Sequence, residues 1–456
     1  MKNMVNSDMN AKNKQTLFKA TLMLGSLLFI SACQNNAQQN ANPNTQAHNK
    51  NTQEINKNIS FLAFGDGGYH TDYPKAKHIK KPRNRAQFIE KEKQDWLEDY
   101  RPLSEFDHAP IYVYPGTNTA TEQGGAGPVG QAMATLCQQR ACDFAIQLGD
   151  NIYPDGADAN DGKNDQKRMN DLILKPLKPL FTEEPELVVY SALGNHDWKT
   201  SRKGVALQQE WMSKQNNFHM DAKGYYRYTQ GTPGNDVEFF VLDTNMLLSG
   251  QTFYEVPLNP DGSEGDLSTA LMNGSAELEE HDAHEGPVNG EDKKQLQWLK
   301  ASMENSTAKW KVVYGHHILW SIGGTKYSEG HVLRELIMPT LCQYADAYIA
   351  GHEHDLELLT DDCSAYPEAN SRAPLPLIIS GAASKMRGKH TPFAEQQALK
   401  YPQYELLWSK SFTWGFAHLT IDNNADKLAV DYFTTPRDSS GKLVSETNFS
   451  FPHRSY

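Results

Sequence analysis

Asp, Asn and His residues follow five short apolar segments of this chain, each of them close after a glycine. The segments are residues 61–64, 144–148, 187–190, 311–314 and 347–350, and the motifs after them are Gly65-Asp66, Gly149-Asp150-Asn151, Gly194-Asn195-His196-Asp197, Gly315-His316-His317 and Gly351-His352-Glu353-His354. Carboxylate, amide and imidazole ligands together favour metals of intermediate hardness, such as iron, zinc or manganese. Two such ions about 3.5–4 Å apart form the usual clamp for displacement at phosphorus. The pattern therefore predicts a metal-binding edge that holds two ions of this kind.

Short apolar runs bounded by turn residues are typical of buried strands. In open α/β sheets ligands bind beyond the carboxyl ends of the strands, so these strands would bring the five motifs to one edge. Glycine before each ligand lets the backbone turn sharply and lets neighbouring loops approach one another. A single Gly-Asp pair would be only a turn, and a lone histidine only a bystander. A shared metal edge explains all five endings together.

Amphipathic stretches between the strands predict helices that cover the sheets. In one of them Leu296, Leu299 and Met303 recur at helical spacing, and Glu291 and Asp292 suit the positive N-terminal end. The candidate helices are residues 85–99, 128–139, 207–216, 292–304 and 331–344.

Taken together, the motifs make the chain similar to the calcineurin-like metallophosphoesterase superfamily, and within it to the short purple acid phosphatases of the tartrate-resistant type. The similarity runs from about residue 60 to residue 435 and is interrupted by two insertions, near residues 70–125 and 256–290. It implies an α/β fold with four layers, an α/β/β/α sandwich of two mixed β-sheets flanked by helices. The metal site would lie at the carboxyl ends of the strands.

One substitution selects the purple branch of this superfamily. Most members have a metal-binding histidine in the first motif, where this chain has Gly68, which cannot bind a metal. In the purple branch a tyrosine after the second motif replaces that histidine, and Tyr153 stands at this position. A phenolate is a hard anionic ligand, which favours ferric iron.

The resemblance implies two metal ions, one Fe(III) and one divalent Fe, Zn or Mn. It also implies a set of ligands for each ion. The first ion would take Asp66, Asp150, Tyr153 and His354, and the second would take Asp150, Asn195, His316 and His352, with Asp150 bridging. His196 would point at the phosphate, and there stabilise charge or protonate the leaving group. Asp197 either orients His196 or its neighbours, or caps the following helix.

The chain departs from the short purple phosphatases at the second catalytic histidine, because Thr325 stands at the family position. His331, six residues further on, either takes over that role or simply begins the next helix. His317 is adjacent to the ligand His316 and is more readily explained by packing. The departure leaves the leaving-group chemistry, and hence the choice of substrate, open.

The first 32 residues predict a lipoprotein signal peptide. Lys12, Lys14 and Lys19 precede an apolar run too short to cross a bilayer, and a small-small-Cys ending places Cys33 where the lipid would be attached. Ordinary cleavage near Cys33 and an uncleaved anchor are the alternatives. Residues 33–58, rich in Asn and Gln, predict a lipid-anchored linker, and residues 59–456 predict the catalytic domain. A location in the bacterial cell envelope follows, lipid-anchored at the outer membrane or else periplasmic or secreted.

Charge and cysteine content limit the partners and the compartment. The formal net charge of −12 argues against general nucleic-acid binding. Four cysteines beyond Cys33 suggest two disulfides in an exported protein. Proximity in sequence favours Cys137–Cys142 and Cys342–Cys363, among three possible connectivities.

The leading hypothesis for function is hydrolysis of phosphate monoesters at the cell envelope. A phosphodiesterase that uses the same metal centre is the alternative within enzymes. An inactive lipoprotein that serves for binding is the alternative outside them, and the complete set of seven ligands argues against it. The sequence leaves the oligomeric state open.

Overall fold

The computed structural model describes residues 58–159, 164–278, 286–366 and 372–454. Cys33 and the predicted signal peptide and linker, except Asn58, lie outside the described residues. The strands are β1 Asn58–Phe64, β2 Ile111–Val113, β3 Ala120–Glu122, β4 Phe144–Leu148, β5 Val189–Ala192, β6 Phe218–His219, β7 Tyr226–Thr232, β8 Asn235–Val241, β9 Tyr254–Glu255, β10 Glu277–Leu278, β11 Trp310–Tyr314, β12 Ala347–Ala350, β13 Leu356–Asp361, β14 Leu375–Ser380, β15 Tyr404–Lys410, β16 Trp414–Asp422, β17 Lys427–Thr435 and β18 Val444–Pro452. The helices are α1 Ala76–Lys80, α2 Arg85–Glu98, α3 Ala126–Cys137, α4 Asp165–Met169, α5 Lys175–Glu183, α6 Asn195–Trp198, α7 Arg202–Ser213, α8 Thr244–Ser249, α9 Leu267–Asn273, α10 Glu291–Glu304, α11 Tyr327–Tyr344 and α12 Thr391–Lys400, with a 3₁₀ turn at Leu103–Glu105 and a π-helical turn at Asn170–Leu174.

Two large mixed sheets organise these elements. The first has the strand order β18-β17-β16-β1-β4-β5-β6, in which β1, β4, β5 and β6 are parallel and the other three are antiparallel. The second has the order β15-β13-β14-β12-β11-β8-β7, with β8, β11, β12 and β14 parallel. Each sheet therefore has a parallel half that can deliver side chains to one edge.

Alternating residues of β1 show how the layers pack. Phe61 belongs to the core between the two sheets, where its ring stacks on Phe144 at 5.0 Å and meets Phe239 of the second sheet edge-on at 5.2 Å. Leu62 and Phe64 belong instead to the core on the other face of the first sheet, with side chains of α3, α5 and α7. Since successive side chains of a strand point to opposite faces, a strand covered on both sides is apolar throughout.

A third core lies on the outer face of the second sheet, where Leu247 of α8, Leu299 of α10 and Leu333 of α11 are buried. Helices thus cover both outer faces of a pair of stacked sheets. The four-layer α/β/β/α arrangement predicted from the sequence is confirmed.

The strands end at the positions that the motifs predict. In β1, β4, β11 and β12 the last strand residue is followed by one glycine and then by the predicted ligand: Asp66, Asp150, His316 or His352. β5 ends at Ala192, and Asn195 begins α6. The predicted strands are present, with bounds that shift by at most three residues.

Helix boundaries were less well predicted than strands. The candidates 85–99 and 292–304 match α2 and α10 to within one residue at either end. α7 begins five residues earlier than predicted because Ser201 caps it, its side chain accepting the Gly204 N–H. α11 begins four residues before His331, so His331 lies within the helix rather than at its start.

Residues 70–125 form α1, α2, a 3₁₀ turn and the two-stranded sheet of β2 and β3. The described residues of the second insertion form α9 and β10, which pairs with β9. Both favoured disulfides, Cys137–Cys142 and Cys342–Cys363, are present. Among the described residues no helix has the length and apolar character needed to span a bilayer.

Candidate metal centre

Three of the predicted ligands have left-handed backbone conformations. The φ angles are 58° at Asp66, 53° at Asp150 and 69° at His352. Non-glycine residues in this region cost about 1–3 kcal/mol each, and such residues concentrate at functional sites. The sharp turn after each strand directs these three side chains toward one another.

A first group of donor atoms surrounds the Tyr153 hydroxyl. This oxygen lies 3.0 Å from Asp66 Oδ1, 2.5 Å from Asp150 Oδ2 and 3.0 Å from His354 Nε2. His354 Nε2 is also 3.4 Å from Asp66 Oδ1. These are the four side chains predicted for the first metal, and all four are buried.

A second group of donor atoms surrounds Nε2 of His316. The other ring nitrogen, Nδ1, lies 2.8 Å from the carbonyl oxygen of Leu148, which only accepts, so we assign the proton to Nδ1 and a lone pair to Nε2. Facing that lone pair are Asn195 Oδ1 at 3.1 Å, His352 Nδ1 at 3.0 Å and Asp150 Oδ1 at 3.4 Å. A cation would satisfy these facing acceptor atoms.

The two groups share Asp150, which presents Oδ2 to the first and Oδ1 to the second. The neighbouring loop approaches it closely, since a Cβ on Gly194 would lie 2.3 Å from Asp150 Oδ1. Only glycine fits at position 194 with this carboxylate in place. Asp150 therefore has the position expected of a bridging ligand.

Electrostatics at the centre favour positive ions. Burial raises the pKa of Asp66 well above its usual range, and Asp150 adds to the shift. Burial, with both carboxylates nearby, likewise raises the pKa of the Tyr153 hydroxyl. Burial lowers the pKa of His316 to about 4, so its ring is neutral near pH 7. Carboxylates, a phenol and neutral imidazoles collected in a buried space form a donor set that fits two metal ions, whose charge would offset the carboxylates and a phenolate.

His352 has a partner that the sequence did not reveal. Its second ring nitrogen, Nε2, lies 2.8 Å from Oε2 of Glu329, in the first turn of α11. The other oxygen of Glu329 is 2.9 Å from Nζ of Lys326. Burial would raise the pKa of Glu329, but Lys326 and His352 outweigh it and hold that pKa well below its usual range.

His196 lies beside the first group of donors. Its ring centroid is 4.1 Å from that of Tyr153, and its backbone N–H donates to Asp150 Oδ1 at 2.9 Å. Nδ1 faces the carbonyl oxygen of Pro154, and Nε2 is 3.3 Å from Lys199 Nζ. Burial lowers the pKa of His196 to about 3. The proximity predicted for His196 is present, and its catalytic role stays a prediction.

Asp197 joins two of the ligand loops. Its carboxylate accepts the backbone N–H groups of Gly194 at 2.8 Å, Asn151 at 3.0 Å and Ile152 at 3.1 Å. These hydrogen bonds fix the loop that carries Asp150 against the loop that carries Asn195. They give it a positioning role among its neighbours, one of the options that the sequence left open.

His331 is placed in a different network. Its Nε2 is 3.0 Å from Glu264 Oε1 and 3.1 Å from the Tyr401 hydroxyl, and its Nδ1 is 2.9 Å from Arg334 Nη2. This network connects the second insertion, through Glu264, to α11. No hydrogen bond within the described ranges joins His331 to the seven predicted ligands, and its role as the second catalytic histidine stays a prediction.

A cavity of about 420 Å³ borders the first group of donors. His354, one of the predicted ligands, lines it together with Thr325, Arg387, Trp96 and Phe412. Nη1 of Arg387 donates to Glu353 Oε2 at 2.6 Å. Trp96 belongs to the first insertion, so this insertion helps to enclose the space next to the centre.

His317 is buried, and its Nδ1 lies 2.8 Å from the hydroxyl oxygen of Thr244. Its ring is also 4.6 Å from that of His352, close enough for His316, His317 and His352 to form a potential metal-binding group. Cys342, Asp361 and Cys363 form another such group by distance, but the two thiols are joined in a disulfide.

Comparison with known proteins identifies the family. The family model described as calcineurin-like phosphoesterase matches residues 122–356, just over half of the chain. The match contains the second to fifth motifs, whereas Asp66 lies before it.

The curated relatives are acid phosphatases. Purple acid phosphatase 17 of Arabidopsis thaliana is 25% identical over 272 residues, which cover 58% of this chain and 65% of that protein, slightly under two thirds of its length. Tartrate-resistant acid phosphatase type 5 is 25% identical in Sus scrofa, over 72% of this chain and 81% of that protein. The rat protein, from Rattus norvegicus, is 27% identical over 74% of this chain and 86% of its own length.

Among solved structures, GAP50, described as the anchor in the inner membrane complex of Plasmodium, is similar with a TM-score of 0.51. It is 15% identical, and the likeness covers 87% of this chain and 89% of that one, which supports the fold alone. The family match and the acid phosphatase relatives together support the chemistry. The chain is therefore a metal-dependent phosphoric ester hydrolase of the calcineurin-like phosphoesterase family.

Proposed function

We propose that this protein hydrolyses phosphate monoesters at a centre of two metal ions. The observation that carries the proposal is the pair of donor groups that share Asp150, the first of which borders a cavity. The names of the curated relatives, which are acid phosphatases, support the monoester over the diester.

In this proposal the ligands are those expected from the sequence. The first ion is Fe(III), held by the phenolate of Tyr153 with Asp66, Asp150 and His354, because a hard anionic ligand favours a hard ion. The second is divalent Fe, Zn or Mn, held by Asp150, Asn195, His316 and His352. When bound, such a pair supplies Lewis acidity toward the phosphate oxygens and lowers the pKa of a coordinated water.

The chain's own residues hold the substrate in place. The cavity bordered by His354 and Thr325 takes the leaving group, since it is the space that opens beside the first donor group. Arg387 already donates to Glu353, and its guanidinium has further N–H groups that can bind a phosphate dianion. His196, whose ring lies beside that of Tyr153, stabilises charge at the phosphate or protonates the leaving group.

Hydrolysis of an aryl phosphate monoester and of the matching diester tests this function, with Asp150→Asn as the blank. Asp361→Asn is the matched control, because Asp361 is equally buried but accepts from Trp320 and Cys363 instead. We expect the monoester rate to exceed the diester rate and to vanish only in Asp150→Asn. A preference for the diester would make the protein a phosphodiesterase, and full activity of Asp150→Asn would refute the metal centre.

We also propose that the protein is lipid-anchored through Cys33 in the bacterial envelope. The support is the basic, apolar and small-residue pattern of residues 1–33. Cells that express the wild type and Cys33→Ala would be labelled with a radioactive fatty acid and fractionated. We expect label and membrane association in the wild type alone, and an unlabelled wild-type protein would contradict the anchor.

A further inference from the structure

The side chain of His352 is held at both ring nitrogens. Nδ1 faces His316 Nε2 at 3.0 Å, and Nε2 faces Glu329 Oε2 at 2.8 Å. The side chains of His352 and Glu329 are 5% and 4% exposed, so water does not compete freely for this contact. The imidazole therefore connects the second group of donors to a buried carboxylate.

The direction of the hydrogen bond follows from the other partner of Glu329. Lys326 Nζ lies 2.9 Å from Glu329 Oε1 and 3.3 Å from Glu255 Oε1. An ammonium group has no acceptor, so Glu329 is bound as the anion and accepts the N–H of His352. With the proton on Nε2, the neutral ring presents a lone pair at Nδ1, toward His316.

We infer that Glu329 is a positioning residue that fixes His352 as an Nδ1 ligand of the second metal ion, and that Lys326 stabilises its charge. The inference rests on the proposed function, because it presupposes that His352 binds a metal. Carboxylates hydrogen-bonded to a metal-binding histidine fix the tautomer and the ring orientation and make the histidine more basic. Loss of such a partner typically weakens metal binding about 10–100-fold.

The two histidines of the second group are supported in different ways. His316 donates to the neutral carbonyl of Leu148, whereas His352 donates to a charged carboxylate. The charged partner makes the ring of His352 the more basic of the two, and hence the stronger metal ligand. Glu329 lies four residues after Thr325, so the segment that lacks the second catalytic histidine of the resembling family supplies this carboxylate instead.

Zinc titration of the purified full-length protein tests the inference. Wild type, Glu329→Gln, Glu329→Ala and Glu264→Gln would be equilibrated in buffers of graded free Zn²⁺, and bound metal per chain would be measured by mass spectrometry. Glu264→Gln is the matched control, because Glu264 also accepts from a histidine, His331, at 3.0 Å. Circular dichroism would verify that each variant is folded.

We expect Glu329→Ala to raise the free Zn²⁺ needed to fill the weaker site about 10–100-fold, Glu329→Gln to raise it less, and the control to match the wild type. Turnover of both Glu329 variants should recover at saturating metal, which a folding defect would not allow. If Glu329→Gln and Glu329→Ala are folded and bind Zn²⁺ with wild-type affinity, the inference is overturned, although the metal centre itself would stand. A wild type that binds fewer than two metal ions, with zinc and iron counted together, would overturn the centre itself, and this inference with it.

Discussion

A Cβ atom on Gly68 would lie 2.2 Å from the carbonyl carbon and oxygen of Asn151. Gly68 also donates its N–H to the Asp150 carbonyl and accepts the N–H of Tyr153, each at 3.1 Å. The backbone of the Asp150–Tyr153 loop therefore occupies the space that a side chain at position 68 would need. A histidine in the first motif and the observed position of Tyr153 exclude one another in this geometry.

Gly68→Ala should displace the loop that carries Asp150 and Tyr153. An extra methyl group in a close-packed region lowers stability by about 1–3 kcal/mol. Here the methyl group clashes with backbone atoms, which cannot move aside by changing a side-chain rotamer. We expect a lower free energy of unfolding and less bound metal, measured by urea denaturation and metal analysis. Gly67→Ala is the matched control, because its Cβ would meet no atom closer than 3.8 Å. Equal metal content in both variants would contradict the steric argument.

Tyr153→Phe should remove the hard anionic ligand of the first metal. We expect iron content to fall, and the visible charge-transfer absorption of a ferric phenolate to disappear, while the fold is retained. Tyr432→Phe controls for loss of a buried hydroxyl, since Tyr432 donates to the Glu357 carbonyl at 2.6 Å, away from the predicted ligands. An absorption band that persists in Tyr153→Phe would rule out Tyr153 as its source.

His196→Ala should lower turnover and leave both metals bound. Its ring lies against Tyr153, and its tie to Asp150 uses only the backbone N–H, which alanine keeps. A group that transfers a proton or stabilises charge contributes about 10²–10⁴-fold to the rate. Steady-state kinetics and metal analysis would be compared with His418→Ala, another buried histidine. Metal loss in His196→Ala alone would assign His196 to the centre's structure instead.

Glu264 should make stability depend on pH below neutrality. Burial would raise its pKa, but His331 and Lys400 outweigh this and lower the pKa from 4.5 to about 2. The lowered pKa contributes stability that is fully present above pH 4.5 and is lost as the pH falls toward 2. We expect Glu264→Gln to abolish this component, about 1–2 kcal/mol after allowance for solvent screening. Urea unfolding of the wild type and of Glu264→Gln at pH 6 and pH 3 measures this component. An equal fall in the free energy of unfolding in the two proteins would refute the assignment to Glu264.

The same network bears on the open role of His331. If His331 only anchors Glu264, His331→Gln should lower the free energy of unfolding at pH 7 and leave kcat unchanged. A fall in kcat of about 100-fold or more, with the metals and stability retained, would instead establish it as the second catalytic histidine.

The two disulfides should contribute unequally to stability. Cys342–Cys363 closes a sequence separation of 21 residues and Cys137–Cys142 one of 5. In the chain-entropy model the longer loop stabilises more, by about 1 kcal/mol. Paired Cys→Ser variants compared by urea denaturation would show this difference, and a larger loss for the shorter loop would contradict the entropic account.

The sequence by itself determined the identity and order of the metal-site motifs. The first ligand of each motif follows its strand by two or three residues, and apolar periodicity with turn residues identifies the end of a strand without tertiary information. Parallel strands then bring their ends to one edge, so the meeting of Asp66, Asp150 and His316 could be anticipated. Proximity in sequence also sufficed for the two disulfides.

Only the tertiary structure decided what surrounds these ligands. Glu329 meets His352 because α11 packs on the outer face of the second sheet, and no local pattern links two residues 23 positions apart. Thr325 and Trp96 come to one cavity because an insertion folds back toward the centre, and His331 joins Glu264 for a similar reason. The motifs depend on local sequence and backbone geometry. The hydrogen-bond partners of the ligands and the walls of the cavity depend instead on how whole elements pack.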